Sequence, residues 1–263
     1  RMTDYKASKR IVGTSAERLA TIEKTPTVND NLSSDLGWNS NTGDWAYDGT
    51  NDRLDLDPVR RDNTAQRLYI DMQDADYLDG SNLSDTAWVA RWAVYSGAQN
   101  SSGNVPLHMT FSNNLDDSGS TQQTASVGLN MSPSENTTGI DLSITTGNFE
   151  TSSSPTRITS SVYSQSDGLS TNTTYYIELI RNSNDWTCNV FSSSAYSGTA
   201  LGTATISKSG LSSLRYMKMI NDSEQSGTKT KTGTWIDDIK IYNGETSVSK
   251  TANIQTNSIW EES

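Results

Sequence analysis

From Val28 onward, short runs rich in Val, Ile, Tyr, Trp and Thr alternate with clusters of Gly, Asp, Asn and Ser. Apolar runs of this length between turn-forming residues predict strands. The clearest are 67–72, 87–95, 175–181, 186–191, 214–220 and 234–242. In 87–95, alternation sends Trp88, Ala90, Trp92 and Val94 to one side and Arg91 and Tyr95 to the other. That is the period of a half-buried antiparallel strand. No apolar stripe at helical spacing follows residue 28, so the predicted class is all-β. The polar stretches 96–104, 112–124 and 221–233 are expected as loops, where binding residues usually sit.

The first 27 residues break this pattern and form a basic arm. Residues 1–28 hold six basic side chains (Arg1, Lys6, Lys9, Arg10, Arg18, Lys24) and three acidic ones (Asp4, Glu17, Glu23). Thr14-Ser15-Ala16-Glu17 has the form of a capping box and predicts a short helix running into Arg18-Leu19-Ala20. The expected organisation is an arm or linker at 1–27, one sandwich at 28–246 and a polar tail at 247–263. The arm serves either as a connector or as a dock for self-assembly.

Composition narrows the class further. The chain has 263 residues, a net charge of −11, 32% hydrophobic residues, 7 Trp and 11 Tyr. So polar a chain approaches the composition of disorder, but its clustered aromatic and β-branched residues can build a core. The basic arm means the acid excess belongs to the remainder, which carries −14. Phosphate binding needs clustered Lys and Arg, so nucleic acid is not an expected partner. No stretch approaches 18 apolar residues, so no helical membrane insertion is expected. No leader-like apolar core is present either, so a secreted form is expected to be the processed one. Cys188 stands alone, which excludes an internal disulfide framework and suits a buried small hydrophobe.

Three segments, taken in order, carry a family resemblance. The first runs from Asn29-Asp30-Asn31-Leu32-Ser33-Ser34 to Gly37-Trp38 and on to Tyr47-Asp48-Gly49-Thr50-Asn51-Asp52-Arg53-Leu54. The second is Thr173-Thr174-Tyr175-Tyr176-Ile177-Glu178-Leu179-Ile180-Arg181. The third is Gly233-Thr234-Trp235-Ile236-Asp237-Asp238-Ile239-Lys240-Ile241-Tyr242-Asn243-Gly244. Together they resemble the concanavalin A-like (laminin-G-like) jelly-roll modules of extracellular and viral surface proteins, over residues 28–246. The resemblance implies an antiparallel two-sheet jelly-roll sandwich, one sheet concave, with first and last strands adjacent and a short N-terminal extension. It also implies that a structural Ca²⁺ and glycan binding are common in such modules.

Catalysis is not expected. Retaining glycosidases need two carboxylates about 5–5.5 Å apart, and the Glu-x-Asp-x-x-Glu run of the hydrolases with this fold is missing. The related lyases use a Gln-x-His pair, but His108 sits in Pro106-Leu107-His108-Met109 without that Gln, and Arg215-Tyr216-Met217-Lys218 matches their Tyr-Lys strand only faintly. With one His and one Cys, nucleophilic triads have little to draw on, and His108 is expected as a hydrogen-bonded strand or loop residue.

Ca²⁺ takes six to eight hard oxygens. Asp pairs or clusters occur at Asp55/Asp57, Asp74/Asp76/Asp79, Asp116/Asp117 and Asp237/Asp238. The resemblance selects Asp237 and Asp238, with Asp30 within reach. Successive strand residues face opposite ways, so only one of the Asp237/Asp238 pair is expected to ligate. The competing expectation is that these are solvated turn carboxylates.

For glycan stacking and hydrogen bonding the expected residues are Arg91 and Tyr95, with Arg67 and Tyr69 on a neighbouring strand; alternatively they merely cover a solvated sheet face. Trp88 and Trp92 are expected in the core, and Trp38, Trp45 and Trp235 fit there as well. The seven Asn-x-Ser/Thr sequons (Asn31, Asn82, Asn100, Asn130, Asn136, Asn172, Asn221) are close to chance for this composition. The expected function is therefore a non-catalytic recognition or adhesion module, extracellular or on a virion, that binds a glycan or a cell-surface or virion component. The rivals are a structural virion or filament subunit assembled through the arm, and a glycan-degrading hydrolase or lyase.

Overall fold

The structure, a computed structural model, describes residues 18–41, 44–61, 66–99, 107–115, 125–131, 139–146, 156–163, 170–221 and 229–254. Among them every regular element is a strand. The chain begins with β1 (Arg18–Glu23), β2 (Val28–Asp30), β3 (Asn39–Ser40), β4 (Ala46–Asp48) and β5 (Arg53–Asp55). It continues through β6 (Val59–Arg61), β7 (Arg67–Asp71), β8 (Ala87–Ser96), β9 (Ala98–Gln99) and β10 (Leu107–Ser112). Then come β11 (Ser126–Met131), β12 (Ile140–Thr146), β13 (Thr156–Tyr163), β14 (Thr173–Asn182) and β15 (Asp185–Phe191). The last five are β16 (Gly202–Ser207), β17 (Tyr216–Asn221), β18 (Lys229–Thr232), β19 (Trp235–Asn243) and β20 (Ser249–Ile254).

Two compact units result, residues 1–25 with 248–263 and residues 26–247. In the smaller unit β1 pairs antiparallel with β20, from Arg18 opposite Ile254 to Glu23 opposite Ser249. Arg18-Leu19-Ala20 is thus strand, not the helix its capping box predicts. Cross-strand hydrogen bonds to a segment more than 200 residues away override a local propensity worth only tenths of a kcal/mol per residue. Thr14–Glu17 lie outside the described residues, as does the rest of the basic arm before Arg18.

The larger unit is a two-sheet antiparallel sandwich. One sheet runs β16-β15-β14-β8-β19-β5-β4, with β2 also paired to β19. The first and last strands of this unit are therefore neighbours, as expected: Asp30 faces Ile239 and Val28 faces Ile241. The second sheet runs β13-β12-β11-β10-β17-β7-β3. A small third sheet, β6-β18-β9, forms from segments expected as loop, since Ala98–Gln99 and Lys229–Thr232 pair with each other and β18 also with β6.

Rings bridge the two large sheets. Trp88 and Trp92 of β8, fully buried as expected, meet Phe111 of β10 at centroid distances of 5.0 and 6.1 Å, and Trp88 meets Trp186 at 5.8 Å. Around them Leu68, Ile70, Met109, Leu129, Leu142, Met217 and Met219 line the second sheet. Trp45 and Trp38 are buried as well, whereas Trp235 is only half-buried on the outer face.

At one end of the sandwich the buried Arg181 gathers three loops. Its Nε donates to Ser183 O at 3.2 Å, Nη1 to Ser84 O at 3.3 Å and Nη2 to Leu211 O at 2.7 Å. The same guanidinium lies over the Trp186 ring at 4.6 Å. Along one margin β13 and β16, edge strands of opposite sheets, approach so closely that a Cβ on Gly202 would lie 1.8 Å from Val162 O. Only glycine fits there.

Two variants test these supports. Arg181→Met strands three carbonyls and lowers unfolding free energy by about 2–3 kcal/mol, read from urea denaturation. Gly202→Ala forces the β13/β16 margin apart and lowers it by about 2 kcal/mol; an unchanged midpoint would show that the margin is not tightly packed.

Candidate functional site

The register of the eight-stranded sheet sets its outward side chains in rows. One row holds Asn189, Glu178, Arg91 and Lys240. The next holds Phe191, Tyr176, Ala93 and Asp237. The third holds Thr174, Tyr95, Trp235 and Asp55. In the middle row Ala93 is the one short side chain, and the larger groups around it leave an open cleft of about 360 Å³. Tyr176 and Trp235 supply aromatic walls, and Asp237, Asp238 and Asn31 supply carboxylates and an amide. Thr174 and Ser194 add hydroxyls.

The aromatic walls are braced from behind. Trp235 stacks on Tyr95 with centroids 5.1 Å apart and planes 1° from parallel, and the Arg53 guanidinium lies 5.7 Å from the same ring. The Tyr95 hydroxyl donates to Asn172 Oδ1 at 3.1 Å. Tyr176 packs edge-on against Tyr196 at 5.9 Å. Tyr196 in turn lies beneath the Arg91 guanidinium at 4.4 Å, and its own hydroxyl oxygen is buried without a hydrogen-bond partner. Rigid rings lose little entropy on binding.

Both carboxylates reach the cleft because β19 is bulged. Asp237 pairs with Ala93 and Lys240 with Arg91, so three steps on β19 match two on β8. The extra residue falls at Asp238, whose φ is +53°. A bulge of this kind breaks strict alternation and re-aims side chains. Two consecutive aspartates therefore line one cleft, contrary to the expectation that they face opposite ways. Asp238 pairs through both oxygens with Lys240 Nζ at 3.1 Å, whereas no cation pairs with Asp237 among the described residues. Partial burial, then the Asp238, Asp52 and Asp30 charges, raise the Asp237 carboxyl above the usual carboxylate range; the Asp238 N–H donating to its Oδ1 at 2.6 Å offsets part of this.

Asp30 plays a different part. It is 2% exposed, its Oδ1 accepts from Leu32 N at 2.9 Å, and its Oδ2 accepts from Trp38 Nε1 at 3.2 Å and from the Tyr77 hydroxyl. These donors make it the anchor of the loop after β2, holding Asn31 at the cleft. Asp30, Asp237 and Asp238 do not form a shared calcium ligand set: the oxygens of Asp30 face donors and those of Asp238 face Lys240. Among the described residues no three Asp, Glu, His or Cys side chains converge on a point where a metal would sit.

The four residues expected to bind glycan divide between the two sheets. Arg91 and Tyr95 lie on β8, but β7, which carries Arg67 and Tyr69, pairs with β17 and β3 in the other sheet. The placement of Arg67 and Tyr69 beside β8 is thus corrected, because neighbours in a sheet are set by long-range pairing that local pattern does not reveal. Arg91 is 7% exposed and engaged by Glu178, with Nε 2.8 Å and Nη2 2.6 Å from Oε2. Tyr95 contributes by bracing Trp235. Arg67 lies over the Tyr69 ring at 5.3 Å and donates to Leu115 O at 3.0 Å. Tyr69 meets Tyr216 edge-on at 6.4 Å.

Cys188 is fully buried in β15, and burial pushes its thiol up, out of reactive range. His108 is buried in β10 of the seven-stranded sheet. The Asp116/Asp117 pair lies outside the described residues. Sequence reasoning missed Tyr176, Ala93 and Asn31. Their one advance signal was the neighbour pair Tyr175-Tyr176, of which alternation must turn one ring outward.

No family model matches the chain, and no curated protein matches it in sequence. Solved structures of similar shape include the Emp47p carbohydrate recognition domain, with 12% identity, a TM-score of 0.49 and coverage of 88% of this chain and 100% of that one. The CBM2 module of the evolved Dit of Lactobacillus casei BL23 phage J-1 has 13% identity and a TM-score of 0.46, covering 83% and 97%. The VIP36 exoplasmic/lumenal domain in its Ca²⁺/Man3GlcNAc-bound form has 8% identity and a TM-score of 0.47, covering 76% and 83%.

Proposed function

We propose that the chain is a non-catalytic glycan-recognition module and that the cleft over Ala93 is its binding site. The observation that carries this is the composition of the cleft: ring walls beside carboxylate, amide and hydroxyl groups around a short floor. A sugar ring presents an apolar face of C–H groups and a rim of hydroxyls, and this arrangement meets both. Ligand sites are concave, with a few well-placed polar groups among apolar ones. The non-catalytic part is supported by the ion pair that engages Asp238 with Lys240 and by the position of His108 in the other sheet, outside the lining of the cleft. Polymeric glycans are met outside the cell, so we place the module there or on a virion surface.

Immobilised-glycan arrays are the test. The chain retains at least one oligosaccharide class without cleaving it, and Tyr176→Ala or Trp235→Ala weakens that binding by about tenfold or more. Retention of no glycan at high protein concentration would sink the proposal. Asp237→Asn supplies a folding control with a definite sign. The folded state holds the Asp237 proton more readily than the unfolded chain, so ionised Asp237 opposes folding at neutral pH. Asp237→Asn therefore raises the neutral-pH melting temperature while reducing glycan affinity. The two proteins' melting temperatures converge in acid, where wild-type Asp237 is protonated in both states.

A further inference from the structure

We propose that the Ala93 cleft selects sugars bearing free, protonated amino groups over neutral or N-acetylated ones; this rests on the glycan reading above. The cleft holds two carboxylates on consecutive residues, and only one of them has a cation. Asp238 is satisfied by Lys240, while Asp237 faces the cleft with no cationic partner among the described residues. The charges around it are mostly negative. Asp238, Asp52 and Asp30 all act on its carboxyl, and Asp55 flanks Trp235 with Oδ1 buried and unpartnered. On the positive side stand Lys240, already paired, and Arg53, which lies over Trp235 and 3.7 Å from Asp48. Arg91, one row away, is engaged by Glu178. A ligand ammonium would thus relieve an unfavourable negative potential, whereas a neutral hydroxyl would leave it in place.

The Tyr176 wall that such a sugar would meet is held from behind. The Tyr196 hydroxyl, on a residue 8% exposed, is buried without a partner. Tyr196 packs on Tyr176, a wall of the cleft, and is close enough to Asp238 to feel its charge. Tyr196 does not itself line the cleft, so its part is to fix the Tyr176 ring. Tyr176 then lies beside the C–H face of the sugar, and ring faces attract adjacent cationic groups. Ammonium–carboxylate hydrogen bonds are roughly twice as strong as neutral ones. That difference turns a general sugar site into a selective one.

The test uses the full chain, calorimetric titration and three ligands of equal length: β-1,4-glucosamine, N-acetylglucosamine and glucose oligomers. The glucosamine oligomer is expected to bind about tenfold tighter than the other two, with a preference that shrinks as salt is added. Acetylating the same oligomer removes the preference without altering the protein, so the result does not depend on a variant folding. Asp237→Asn, with its fold checked by melting temperature, brings the three affinities together. Equal binding of all three ligands by the wild type overturns the selectivity but leaves the glycan reading intact. Binding of neutral oligomers that requires calcium overturns it too, since the cation would then be the metal. Binding of none of these ligands, together with an empty glycan array, removes both proposals.

Discussion

A chain with 32% hydrophobic residues has to hold together two sheets of seven and eight strands, and it does so with rings. Trp88, Trp92 and Trp186 from one sheet meet Phe111 from the other, and each well-set aromatic pair adds about 0.5–1.5 kcal/mol beyond its buried area. The indole N–H groups of Trp88 and Trp92 are buried without partners. Each such orphan costs about 1–3 kcal/mol, so the cluster is retained for its packing despite that cost. Everything on the outer face depends on it, because β8 cannot rotate while two of its tryptophans are locked inward. Ala93, Arg91 and Tyr95 are fixed in place by Trp92, Ala90 and Val94 beside them in the chain.

Three features that oppose stability lie in or beside the cleft. Asp238 adopts a left-handed backbone conformation, Asp237 carries a charge that folding disfavours, and Tyr196 buries an unpaired hydroxyl. Strain and unmet polar groups of this kind concentrate at binding sites, where the surrounding structure over-determines them. Here the surroundings are specific: Asp30 fixes the loop bearing Asn31, Glu178 holds Arg91, and Tyr95 and Arg53 brace Trp235. The walls of the cleft are thereby held in fixed positions.

How far the sequence foretold this can be followed residue by residue. Alternation in 87–95 placed Trp88, Ala90, Trp92 and Val94 on one face and Arg91 and Tyr95 on the other, as the structure has them, because a strand packed on a core obeys period two. The closing strand was visible too, but its bulge was missed. Ile236, Ile239 and Ile241 are all buried, and the three-residue step between the first two marks the extra residue. Alternation was assumed to run unbroken through Asp237-Asp238, which hid the convergence of both carboxylates. The error over Arg67 and Tyr69 was of another kind. Their own strand was recognised, but β7 joins β17 across more than 140 intervening residues, and sheet order of that sort leaves no local trace. The helical expectation for Arg18-Leu19-Ala20 failed for the same reason, since the partner of β1 lies more than 200 residues on in the chain.

The narrow approach at Gly202 bears on how the molecule behaves in a crowd. Unpaired strand edges are templates on which other chains add strands and aggregate. β13 and β16 are end strands of the two large sheets, and they meet backbone to backbone at Gly202 and Val162. At the opposite margins β3 and β4 are only two and three residues long, too short to template a partner. One close approach at one margin and two brief strands at the other thus limit the edges that the two large sheets offer to other chains.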